Sequence, residues 1–112
     1  MKRTKYFTYL LLFVDDNNKK IRFYKVGETN SLEKRIEQLE NIYNATCTEI
    51  LTCFVFDTEE KALTMENVIR DYFKKKKYAR FTPRDRFKGC YPTVEDIKNL
   101  DKKADSVSVL FD

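Results

Sequence analysis

The hydrophobic positions of this chain fall into alternating blocks of strand-like and helix-like period. Residues 6–14 (Y-F-T-Y-L-L-L-F-V) are almost continuously apolar, as expected for a strand covered on both faces. The polar run Asp15-Asp16-Asn17-Asn18-Lys19-Lys20 is rich in turn formers. Residues 21–26 then alternate, with Ile21, Phe23 and Lys25 on one face and Arg22, Tyr24 and Val26 on the other. Two strands joined by a short polar loop predict an antiparallel hairpin. Lys25 stands on the face that Ile21 and Phe23 mark as apolar.

Gly27 reads as the end of the second strand, with Asn30 or Ser31 as the cap of a following helix. Leu32, Ile36, Leu39 and Tyr43 recur at helical spacing, joined by Ile42. Arg35 projects inside that apolar stripe, whereas Lys34, Glu37 and Asn41 lie opposite it. Residues 44–46 read as a connection and residues 49–56 as a third strand. Asp57 and Glu60 are spaced as a capping box for a helix over about 58–76, whose stripe is Ala62, Met65, Ile69, Tyr72 and Phe73. Glu66 falls beside Phe73 and Ala62, either as a functional acid or as a helix-edge residue reaching solvent. Residues 78–88 read as an irregular, basic and aromatic segment. Thr93 and Asp96 predict a capped helix from 94 to about 102, followed by a tail, S-V-S-V-L-F-D, that fits an edge strand, an interaction segment or a disordered end. The expected layout is an α/β (α+β) domain over residues 1–103, a three-stranded antiparallel sheet flanked by helices, with residues 104–112 as the tail.

Composition adds a compartment and a charge distribution. The chain has 112 residues, enough for one core, and three cysteines (Cys47, Cys53, Cys90) without a C-x-x-C pair. A disulfide framework is not expected, and a reduced cytoplasmic setting, or a host cell's interior for a viral protein, is the default. The first apolar run is too short to span a bilayer, so no membrane partner is expected. The net charge is +4, yet residues 61–88 hold ten Lys or Arg against three acids, while residues 91–112 hold three against five. That local excess points to a polyanion, with a solvated face as the plain alternative.

Histidine is absent, which removes the usual serine or cysteine triads and the commonest general base. No Gly-rich phosphate loop is present. Tyr9, Lys25, Arg35 and Glu66 remain as a base, two cations and a metal-capable carboxylate, a set suited to phosphodiester hydrolysis.

These residues carry a family resemblance. Phe7-Thr8-Tyr9, Lys25-Val26-Gly27, the segment from Gly27 to Arg35 (G-E-T-N-S-L-E-K-R) and Ala62-Leu63-Thr64-Met65-Glu66-Asn67 resemble the GIY-YIG nuclease superfamily, in particular its small phage- and virus-type single-domain branch. The likeness spans about residues 6–91, and G-x-T-x-x-L-x-x-R is its most specific part. It implies Tyr9 as general base, Gly27 as the motif glycine, Arg35 as the phosphate-polarising arginine and Glu66 as ligand of one Mg²⁺ or Mn²⁺. Phe7 and Thr8 replace framework positions of the first motif. Lys25 stands where the second motif has a tyrosine, and Tyr24, one residue earlier, is the other candidate for that place. Gly89-Cys90-Tyr91 is similar to the closing segment of the phage branch.

The implied function is a divalent-metal-dependent endonuclease acting on nucleic acid, DNA in preference to RNA. Lys74, Lys75, Lys76, Lys77, Arg80, Arg84, Arg86 and Lys88 would hold the backbone. Targeting would need a homodimer or a specificity-providing protein partner. The alternatives are a degenerate module that binds nucleic acid or protein without cleavage, and an interaction protein using its tail.

Overall fold

A computed structural model describes residues 4–77, 79–82 and 86–110 of the chain. Five antiparallel strands and three helices follow in the order β1 (Tyr6–Asp15), β2 (Arg22–Thr29), α1 (Leu32–Tyr43), β3 (Ala45–Phe56), α2 (Glu59–Lys74), β4 (Arg80–Thr82), β5 (Arg86–Lys88) and α3 (Val94–Ser108). The sheet order is β3-β1-β2-β5-β4. The α+β class and the hairpin are as expected, but the sheet has five strands rather than three. β4 and β5 come from the segment read as irregular. Each holds three residues and one apolar side chain, Phe81 or Phe87, too little for an alternating signal. Their rings form a ladder with the core: Phe81 stacks on Phe87 at 5.0 Å, and Phe87 on Tyr24 at 5.0 Å and on Phe73 at 4.8 Å.

β1 lies between β3 and β2 and is covered on both faces. Tyr9, Leu11 and Phe13 pack with Phe23 beneath α1, while Leu10 and Leu12 pack with Tyr24 and Val26 beneath α2 and α3. Thr8 is the polar interruption on the α2 side, and its buried hydroxyl donates to the Ala62 carbonyl at 2.7 Å, tying β1 to α2.

Four boundaries depart from the pattern. Gly27 does not end β2; it pairs with Tyr9, and the strand runs on to Thr29. The cap of α2 is Thr58, which accepts the Lys61 amide at 3.2 Å, and the neighbouring Asp57 instead pairs with the Lys61 ammonium at 3.1 Å. α3 has the expected Thr93–Asp96 capping box but continues to Ser108, so residues 106–108 are helical rather than an edge strand. Val107 is buried there at helical spacing from Leu100 and Ala104. β3 starts at Ala45, directly after Asn44, whose left-handed backbone (φ 49°) closes α1. Residues 111–112 lie outside the described residues. Among the described residues no helix is long and apolar enough to cross a membrane.

Candidate functional site

The site is built at one end of the hairpin. Tyr9 faces the α1 side of β1 and lies directly across from Gly27 of β2. Any Cβ at position 27 would stand 2.2 Å from the Tyr9 phenol oxygen and 2.4 Å from Cζ. The glycine is therefore required by close approach: its missing side chain lets the Tyr9 ring cross the β2 backbone. There the phenol comes within electrostatic reach of Arg35. The turn before α1 aims that arginine. Thr29 Oγ1 accepts the Ser31 amide at 3.1 Å and donates to the Ser31 carbonyl at 3.2 Å. Ser31 in turn accepts the Arg35 amide at 3.0 Å, and Arg35 Nη1 donates to Gln38 at 3.3 Å.

Carboxylates approach from the other side. β5 pairs with β2 only at Tyr24 and Lys25, so among the described residues the Val26–Thr29 stretch lacks a neighbour on that edge. Glu28 sits there, and an open concavity of about 330 Å³ is lined by Tyr6, Glu28, Arg35 and Glu59 among others. Burial, then the charges of Glu59 and Glu66, push the Glu28 carboxyl up, and Arg35 opposes them. Glu66 is half-buried on α2, 3.8 Å from Arg70. Tyr9 is raised above its ordinary value first by burial; Arg35 lowers it and Glu66 raises it. Tyr9, Arg35 and Glu66 are thus brought within electrostatic reach of one another. Glu28 and Glu59 join them, although the sequence reading did not single them out. Glu28 directly follows the motif glycine, and that adjacency was the available signal. Among the described residues no group of three or more Cys, Asp or Glu forms a ready metal cage.

The two candidates for the second motif's tyrosine lie on opposite faces. Lys25 shares the face of Tyr9, pairs across the strands with Leu11 and Arg86, and is only 6% exposed. Tyr24 points to the α2 side, stacked on Phe87 and edge-on to Tyr91 at 5.8 Å. Its buried hydroxyl has no hydrogen-bond partner among the described residues, and burial raises its pKa strongly. Tyr24 is a core residue remote from Arg35's face.

The basic residues also separate. Lys74, Lys75, Lys76 and Lys77 are exposed at the end of α2. Lys74 lies over the Phe81 ring at 5.6 Å, and Lys76 is bound to Asp96 at 2.7 Å. Arg86 is half-buried, its guanidinium 4.4 Å from the Tyr43 ring centroid and 5.2 Å from that of Phe23. Arg80 and Lys88 face each other on β4 and β5. Arg84 lies outside the described residues.

Fold and site together define a small α+β domain with a phenol, an arginine and carboxylates gathered at a sheet edge. The chain belongs to the T5orf172 domain family, which it matches over residues 6–100. This phage-derived domain is found in HNH- and GIY-YIG-like nuclease contexts, and it suggests a nuclease-like or nucleic-acid-binding role. No curated protein and no solved structure matches the chain.

Proposed function

We propose that the protein is a GIY-YIG-type endonuclease that hydrolyses phosphodiester bonds in nucleic acid, DNA in preference to RNA. The observation that carries this reading is the seating of the Tyr9 ring over Gly27, within electrostatic reach of Arg35 and Glu66. Water oxygen would form a bond to phosphorus and give its proton to the Tyr9 phenolate, while the P–O bond breaks and the leaving oxygen keeps its electron pair and takes a proton from solvent. Arg35 would stabilise the charge growing on the phosphate, and Lys25 would add positive charge on the same sheet face as Tyr9. Glu66, with Glu28 near enough for mutual electrostatic influence, would hold one Mg²⁺ or Mn²⁺. Crowded carboxylates are relieved by a hard cation, and Mg²⁺ needs only one or two of them, the remaining ligands being water and phosphate oxygens. When bound, such an ion supplies Lewis-acid neutralisation of phosphate charge.

The test is nicking of supercoiled plasmid with Mn²⁺ by wild type, Glu66→Ala and Arg35→Ala. Each substitution is expected to lower the rate at least ~100-fold, the scale for removing one transition-state contact. Because Tyr9 is raised, wild-type nicking should climb with pH between 7 and 9, as more of the phenol ionises. Equal nicking by all three proteins would refute the reading.

A second reading, a module that binds nucleic acid without cutting it, has its own observation. Tyr9 is only 1% exposed, and its raised pKa keeps the phenol protonated at neutral pH. Salt-sensitive binding with no metal-dependent nicking would select it.

A further inference from the structure

The described basic residues between 74 and 88 form two groups on opposite sides of the sheet, and only one group shares a face with Tyr9. Strand register fixes the sides. Lys25 pairs with Arg86, Arg86 with Thr82, and Lys88 with Arg80, and directly opposed residues of an antiparallel pair point the same way. Residues two apart on a strand also share a face, which places Tyr9, Lys25, Arg86, Lys88 and Arg80 on the α1 side. Phe81 and Phe87 point oppositely, into the core with Phe73 of α2. Lys74 lies over Phe81, so the lysine run belongs to the α2 side, away from Tyr9.

We propose that the phosphodiester backbone of a nucleic-acid strand runs across the wing β2–β5–β4, held by Arg86, Lys88 and Arg80, and does not follow the lysine run at the end of α2. The proposal rests on the reading of the chain as a nucleic-acid enzyme or binder. Neighbouring strands are about 5 Å apart, and alternate residues of one strand about 7 Å, so the three cations lie within reach of successive phosphates of a single flexible backbone. Among the described residues the side chains of Arg80, Arg86 and Lys88 make no ion pair with an acid, so no described carboxylate cancels their charge. Lys76 in the other group is already committed to Asp96. Arg86 is the inner anchor. Its guanidinium is fixed by Tyr43 and Phe23 and stands opposite Lys25, so the track leads from the exposed wing toward the Tyr9–Arg35 pair.

The experiment compares two substitutions that each remove two exposed charges. Arg80→Gln/Lys88→Gln disarms the wing and Lys74→Gln/Lys75→Gln disarms the helix end; both are checked for an unchanged melting temperature. Binding is read by fluorescence anisotropy with a labelled 20-nucleotide single strand, and with the same sequence as a duplex, in EDTA across a salt series. The wing pair is expected to weaken binding about tenfold or more near 0.1 M salt. It should also reduce the log–log salt slope by about 1.4 on the single strand, the value for two lost phosphate contacts. The helix-end pair should stay within about twofold of wild type. Arg86→Lys, which keeps the charge but loses the guanidinium lying over the Tyr43 ring, should also weaken binding. Loss through the helix-end pair, or equal loss through both pairs, would overturn the track while leaving a nucleic-acid role standing. Wild-type protein that binds neither probe would overturn the nucleic-acid reading itself.

Discussion

At the scale of single residues, the motif positions are explained by contact geometry. Arg35 was legible from sequence because a charge inside an apolar helical stripe is anomalous, and its place beside the buried Tyr9 phenol gives the anomaly a cause. Gly27 was legible as a glycine but not for its reason: it suits a strand end, yet it lies within β2 because the Tyr9 ring occupies the space of its side chain. Glu59 was not legible, and Glu28 only through its place after the motif glycine, since neither violates a local pattern and their proximity arises only from packing. Gly27→Ala is expected to push the Tyr9 ring aside and destabilise the protein by about 1–3 kcal/mol, the scale for overpacking a core. In a Tyr9→Ala background the same substitution should cost close to nothing. Urea unfolding of the four proteins of that cycle measures the coupling, and a cost that persists without the Tyr9 ring would show a backbone origin instead.

At the scale of elements, the long strands and helices were readable because each carries enough residues to express a period. β1, β2, α1 and α2 lie within a few residues of their expected bounds, and the Thr93–Asp96 capping box is present as the spacing predicted. β4 and β5 escaped because three-residue strands are defined by pairing and by the Phe81–Phe87–Tyr24 ladder, which no local pattern encodes. The end of α3 escaped for another reason: S-V-S-V alternates like a strand, yet only Val107 of its two valines is buried, and Val109 is 67% exposed. One buried valine at helical spacing outweighs two at strand spacing, because burial against Leu100 and Ala104 is where the free energy lies. Val107→Ala should therefore cost about 2 kcal/mol, two methylene equivalents at ~0.8 each plus a small cavity, whereas Val109→Ala should stay within about 0.5 kcal/mol. Equal effects on the urea midpoint would contradict the helical packing of this segment.

At the scale of the whole molecule, the sheet separates two jobs. Its α1 side carries the phenol, the arginine and the cationic wing, and its α2 side carries the larger core, closed by α3. What fastens α3 to that core is a polar clamp around Asp96 as well as apolar burial. Asp96 Oδ1 accepts from Tyr72 at 2.7 Å and from Lys76 at 2.7 Å, Oδ2 accepts the Thr93 amide at 2.9 Å, and Asn99 donates to the Tyr72 oxygen at 3.1 Å. Burial by itself would raise the Asp96 carboxyl, but the hydrogen bonds from Lys76, Thr93 and Tyr72 outweigh it and hold the group at about 2. A carboxyl depressed in the folded state stabilises the fold above its unfolded pKa near ~4 and loses that contribution as pH falls toward 2. Lys76 is partly solvent-screened, which limits the contribution to about 1–2 kcal/mol. The stability difference between wild type and Asp96→Asn should therefore be about 1–2 kcal/mol at pH 6 and shrink toward zero by pH 2, because a protonated Asp96 is close to an asparagine in charge and shape. Urea unfolding of both proteins at several pH values between 6 and 2 measures it, with the other carboxylates cancelling in the difference. A gap that stays constant across that range would mean that the Asp96 charge does not hold α3 in place.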